Sequence, residues 1–153
     1  MQRTEQDPRS AAPAAVTSLL AMTIAVSRCF VVVHDPDRAL EFYRDLLGLE
    51  VVNDVAQDEF RWITVSAPGQ DGVAVVLSNY LQGSPADIDA VRDLLAKGAL
   101  NGVHFRTDDL DGLFARLREQ GADVVEEPTD QFWGVRDCAL RDPSGNLVRI
   151  DQA

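Results

Sequence analysis

Val33-His34-Asp35-Pro36-Asp37-Arg38-Ala39-Leu40-Glu41-Phe42-Tyr43, running on to Leu47-Gly48-Leu49-Glu50-Val51, is the stretch whose reading decides the fold. Upstream of it, Thr23 to Val33 is apolar and β-branched, as a strand requires. Asp35 is a good N-cap, because its carboxylate can accept from the first unpaired helical N–H groups. Pro36 fits the first helical position, where no N–H is needed. Ala39, Leu40, Tyr43, Leu46 and Leu47 recur at helical spacing and make one apolar face, and Gly48 suits the end of that helix. Leu49–Val55, Phe60–Ala67 and Val73–Ser78 then read as strands, the last two separated by the turn residues Pro68-Gly69-Gln70-Asp71-Gly72.

The same plan recurs downstream. Gly102–Thr107 reads as a strand, Asp108/Asp109 caps a helix with Leu110, Leu113, Phe114 and Leu117 inside, and Gly121 ends it. Strands follow from Val124-Val125, over Phe132–Arg141 and over Asn146–Asp151. Asp142-Pro143-Ser144-Gly145 between the last two matches a type I turn. Asp35 and Asp109 lie 74 residues apart, and strand, capped helix, glycine stop and three strands repeat in order from each. Ser84-Pro85-Ala86-Asp87 opens a separate short helix through Ile88, Val91, Leu94 and Leu95 to Gly98. The pattern therefore predicts an α+β domain over 22–153, built of two βαβββ modules, 22–80 and 101–153, with a helical connector over 81–100. One module exposes an apolar sheet face, so two are needed to enclose a core or a cavity. Residues 1–21, rich in Ala, Pro, Ser and Gln, read as a flexible extension, and Met22 is a second candidate start of translation.

Composition narrows the function classes. Asp and Glu number 25 against 14 Lys and Arg, a formal net charge of −11. Such a surface repels phosphate backbones, which argues against a nucleic-acid partner. The apolar-leaning stretch Ala11 to Val26 is broken by Pro13, Thr17, Ser18 and Thr23, so no membrane span is expected. Glu5 and Asp7 spoil the positive start that a secretory signal needs. Cys29 and Cys138 sit in apolar strands without CxxC spacing and read as two buried free thiols in a reducing cytoplasm. A G-x-S-x-G elbow, a P-loop, a dinucleotide fingerprint and H-E-x-x-H are all missing. A Cys138/His104 nucleophile pair has no third residue to orient it.

The opening stretch, Asp108-Asp109-Leu110-Asp111 with Arg116-Leu117…Gly121-Ala122, and Trp133-Gly134-Val135-Arg136 leading to Asp142-Pro143-Ser144-Gly145-Asn146 together resemble the vicinal oxygen chelate superfamily (glyoxalase I, bleomycin-resistance proteins, extradiol dioxygenases). The resemblance covers roughly residues 25–152. It implies a half-open barrel-like sheet with helices outside and a cavity on the concave face, and a homodimer that completes its barrels between chains. It also implies a divalent ion held by His, Gln or Glu of the first strands and Glu of the last. At those positions this chain carries Arg28, Gly102 and Arg149. Guanidinium stays protonated and glycine has no side chain, so the usual metal site is not expected. A site shifted by one pleat step would use His104 and Asp151, with Phe30 as a non-ligand at the third place. The plainer reading of His104 is a hydrogen-bonded residue of the cavity wall.

The cavity is then the candidate functional element, with Arg28, Phe30, Trp62, His104, Trp133, Arg136 and Arg149 as substrate-binding candidates and no catalytic residue assigned. Trp62 and Trp133 could stack a planar or cationic ligand; Arg28, Arg136 and Arg149 could clamp an anion. Structural readings stand beside these. Trp62 could be core, Arg136 could pair with Asp137 or Asp142, and Arg28 could sit at a solvated strand end. His34 reads as an exposed loop residue and Tyr43 as helix-to-sheet packing. The expected function is a cytoplasmic small-molecule-binding domain with no cofactor. The alternatives are a metal-dependent lyase, isomerase or dioxygenase with a shifted site, and a regulatory module without a ligand.

Overall fold

The computed structural model describes residues 24–153; the N-terminal extension and Met22 lie outside the described residues. The chain runs β1 (Arg28–Val32), α1 (Pro36–Leu40) continuing into a π-helical segment (Glu41–Leu46), β2 (Glu50–Gln57), β3 (Phe60–Ser66), β4 (Ala74–Ser78) and α2 (Pro85–Ala96). It continues through β5 (Asn101–Thr107), α3 (Leu110–Glu119), β6 (Asp123–Asp130), β7 (Arg136–Arg141) and β8 (Leu147–Gln152). Two four-stranded sheets result, in the order β1-β4-β3-β2 and β5-β8-β7-β6, each with one parallel pair and two antiparallel pairs. This is the expected pair of βαβββ modules, each sheet open and uncurled.

The helix starts are where capping chemistry puts them. Asp35 Oδ1 accepts from the backbone N–H groups of Asp37 and Arg38, and Asp109 Oδ1 from that of Gly112. Ser84 and Asp87 form a reciprocal capping box on α2. The first helix departs from simple spacing: Leu47 N–H reaches back to the Phe42 carbonyl, a five-residue bond. This wider turn shifts the facing by one residue, and Phe42 is buried together with Tyr43. β1 begins later than the apolar pattern indicated. Phe132-Trp133 lies in the turn between β6 and β7, because Gly134 N–H and Gln131 N–H close that turn onto the Gln131 and Val135 carbonyls.

One apolar core spans both modules. Val31, Ile63, Val65 and Leu77 face α1, while Cys138, Leu140, Val148 and Ile150 face Leu110, Phe114 and Leu117 of α3. Polar clasps cross the seam: Tyr43 Oη donates to Asp142 Oδ2 at 2.8 Å, and Asn146 Nδ2 donates to the Val32 carbonyl at 2.8 Å. His34 is exposed, as read, and its backbone N–H donates to Ser144 Oγ. Cys138 is buried, but Cys29 is exposed, since β1 leaves the core at its first residues.

Candidate functional site

Strand alternation assigns a helix-covered face and an open face to each sheet. In the first sheet the open face carries Phe30, Val76, Ser78, Trp62 and Thr64. Register places Val76 between Phe30 and Thr64, and Ser78 between Val32 and Trp62. Phe30 is 64 % exposed although aromatic. Trp62 tilts against Tyr80 with ring centroids 5.5 Å apart, and Phe60 meets Tyr80 edge-on at 5.1 Å. The wall is aromatic, with charge only towards its edges: Arg28 is exposed at the start of β1 and Glu50 at the start of β2, opposite Ser66.

The open face of the second sheet is its electrostatic opposite. Arg149 lies between His104 and Ala139, and Asp151 between Arg106 and Asp137. Arg149 donates to Asp137 Oδ2 at 2.7 Å and to Glu126 Oε2 at 3.1 Å, and Gln131 Nε2 donates to the other oxygen of each carboxylate. The Asp137 side chain is only 2 % exposed and that of Arg149 20 %, so this pair is far from the weak surface case. Burial pulls the Arg149 pKa down, but the hydrogen bonds and charges of Asp137 and Glu126 outweigh it and leave the guanidinium more firmly protonated. Trp133 stands over this network with its ring centre 6.0 Å from the guanidinium carbon.

Six of the seven candidates thus occupy open faces or their rims: Arg28, Phe30 and Trp62 on the first sheet, His104, Arg149 and Trp133 on the second. Arg136 does not. It shares the helix-covered face with Cys138, and its guanidinium donates to Asp111 at 2.7 Å in the first turn of α3, with Asp130 at 3.9 Å. The expected pairing with Asp137 or Asp142 is replaced because both carboxylates have other donors. Arg149 is likewise no open anion clamp, since two carboxylates already engage it. His104 Nδ1 stands 3.8 Å from Asp151 Oδ1, and among the described residues no three His, Cys, Asp or Glu side chains converge as a metal-binding group. The Cys138/His104 pair is ruled out by geometry: the two lie on opposite faces, and burial, reinforced by Asp137, pushes the thiol pKa up to about 11.

Sequence reasoning passed over Tyr80, Glu126 and Gln131, and weighed Asp137 only as a partner for Arg136. Tyr80 was reachable, because period-two alternation from Val76 and Ser78 carries one step past the strand end. Glu126 and Gln131 carried no local signal; only the fold brings them to Arg149.

The Glyoxalase/Bleomycin resistance protein/Dioxygenase superfamily model matches residues 25–150. This chain belongs to that superfamily. Among its relatives, the uncharacterized protein YurT of Bacillus subtilis (strain 168) is 35 % identical over 132 residues, 86 % of this chain and 99 % of YurT. Of solved structures, UcmS2 is similar at 30 % identity and a TM-score of 0.77, covering 86 % of this chain and all of that one. TnmS3, an antibiotic binding protein from Streptomyces sp. CB03234, is similar at 29 % identity and a TM-score of 0.68, covering 86 % of this chain and 97 % of TnmS3.

Proposed function

We propose that this superfamily member binds a small planar aromatic molecule on the open faces of its sheets, without the metal centre of its metal-dependent relatives. The observation that carries this reading is the aromatic wall of Trp62 and Tyr80 beside the exposed Phe30, on the sheet face turned from α1, with Phe60 closing its end next to α2. A stacked aromatic pair contributes about 0.5–1.5 kcal/mol beyond its buried area. The antibiotic binding protein TnmS3 among the similar structures supports a small-molecule ligand. On the second sheet Asp137, Glu126 and Gln131 provide hydrogen-bonding groups around a guanidinium they have already neutralised, which suits a ligand with hydroxyl, amide or amino groups at one edge.

The donor set fits a divalent ion poorly. Such ions need several N or O ligands converging at about 2.0–2.6 Å. Arg28, Gly102 and Arg149 hold the positions corresponding to the relatives' ligands, and the nearby carboxylates Asp137 and Glu126 are held by Arg149. Two protomers completing their barrels with each other would bring an aromatic face against a polar one, so a homodimer belongs to this proposal. A cytoplasmic setting fits the two free cysteines and the acidic surface.

Quenching of tryptophan fluorescence by a panel of planar aromatic antibiotics tests the reading, with Trp62→Ala as the control. Saturable quenching that Trp62→Ala weakens about tenfold or more supports it. No quenching across the panel overturns it. Stoichiometric Zn, Mn, Fe or Ni in chelator-free protein would instead favour a metal-dependent enzyme using His104 and Asp151, the two potential ligands already 3.8 Å apart.

A further inference from the structure

The seam between the modules holds a second cavity, on the other side of the sheets from the proposed ligand face. It measures about 270 Å³ and is lined by Leu47, Leu49 and Ala67 of the first module and Phe105, Leu113 and Ile150 of the second. Arg116 borders it from α3, Arg106 meets it from a strand position whose side chain alternates to the open face, and no carboxylate borders it. Neither arginine forms an ion pair within the described residues. Acidic side chains outnumber basic ones 25 to 14, so carboxylate partners are plentiful elsewhere, yet here none is offered. The larger groove on the opposite side of α1 mixes Arg38 and Arg141 with Glu41 and Asp123, and so selects no ligand charge.

We propose that the seam cavity is a binding site for a small amphipathic carboxylate, a single ring or a short branched chain. Its volume falls just under the range of pockets that enclose drug-sized ligands, about 300–1,000 Å³, so the occupant is smaller. The apolar body lies against Leu47, Leu49, Phe105 and Leu113, where apolar surface leaves water. Arg116 follows Leu113 by three residues on α3, and helical neighbours at that spacing share a side, so its guanidinium can reach the mouth of the cavity. A planar guanidinium matches a carboxylate in a two-pronged hydrogen bond. Because the walls come from both modules, an occupant also holds the modules together. This site stands whether or not the open faces bind their own ligand.

The test uses phenylacetate and its neutral counterpart phenylacetamide as probes, titrated into the full chain and followed by two-dimensional nitrogen-15 NMR. Phenylacetate is expected to shift the amides of Leu47, Leu49, Phe105 and Leu113 saturably, with a dissociation constant on the order of 1 mM or tighter. Arg116→Gln, an exposed change that leaves the fold intact, should weaken phenylacetate about three- to tenfold. It should leave phenylacetamide unchanged, and Trp62→Ala on the open face should alter neither. Shifts confined to the open faces, no saturable shift, or equal weakening of acid and amide would each overturn the site.

Discussion

At the scale of single residues, two buried hydrogen-bonded carboxylates govern what substitutions do. Asp137 is held by Arg149 and Gln131. Arg149→Met removes the charge partner of a buried anion, a loss that costs about 3–5 kcal/mol in buried pairs. Urea denaturation is expected to show that loss, and Arg149→Met with Asp137→Asn together should recover part of it. Asp142 is the second: its Oδ1 accepts from the N–H groups of Ser144, Gly145 and Asn146, and its Oδ2 from Tyr43 and the Asn146 side chain. Tyr43→Phe leaves that buried acceptor short of a donor and should cost about 1–3 kcal/mol. Burial, with the charge of Asp142, pushes the Tyr43 phenol well above its ordinary range. A raised folded-state pKa stabilises fully below the unfolded value of about 10 and is lost as pH climbs above it. Wild-type stability should therefore fall faster than that of Tyr43→Phe when urea midpoints are followed upward through pH 10.

At the scale of elements, the two modules repeat an ion-pair device as well as a strand order. In the first, Arg61 of β3 joins Asp54 of β2 to Asp37 in the first turn of α1. In the second, Arg136 of β7 reaches Asp130 of β6 and Asp111 in the first turn of α3. Each ties a helix N-terminus, where acidic residues are favoured, to the sheet beneath it. These pairs are largely open to solvent, so Arg61→Met and Arg136→Met should each cost only about 0.2–1 kcal/mol in thermal unfolding. Arg136→Met should also leave aromatic ligand affinity unchanged; a marked loss would return Arg136 to the binding face. The β7–β8 turn is less forgiving. Gly145 has φ +107°, and a Cβ there would lie 2.1 Å from the Leu95 carbonyl oxygen at the end of α2. Gly145→Ala is expected to cost more than about 2 kcal/mol and to loosen α2, visible as lost amide protection around Leu95.

At the scale of the whole molecule, the two sheets present unlike surfaces: aromatic on the first, charged and self-neutralised on the second. Each is open to solvent in one chain, with Phe30 64 % exposed and Trp133 52 % exposed. Exposed aromatic side chains grouped on one face mark a surface that meets a ligand or another chain. If modules pair between chains as proposed, light scattering should report twice the 16.8 kDa of one chain, and Phe30→Asp should shift it toward the monomer. A monomer in the wild type would confine the ligand site to single sheets.

How much was legible beforehand follows from where each signal resides. The βαβββ repeat, the caps at Asp35, Ser84 and Asp109, the turn at Asp142 and the family itself were readable, because they rest on period, capping chemistry and turn residues within a few positions of one another. The open-face placement of Phe30, Trp62, His104 and Arg149 followed from strand alternation. Arg136 lies on the helix-covered face with Cys138, a placement that shows only once the hairpin's facing is tied to the core. The π-helical turn that buries Phe42 carried no legible signature. Glu126, Gln131 and Asp137 meet Arg149 only because β6, β7 and β8 lie side by side, with the β6–β7 turn folding Gln131 back. The seam cavity needs Leu47 and Phe105 brought together across two modules. Local chemistry is written along the chain; which charges neutralise one another, and which hollows stay open, depends on long-range packing that no short stretch encodes.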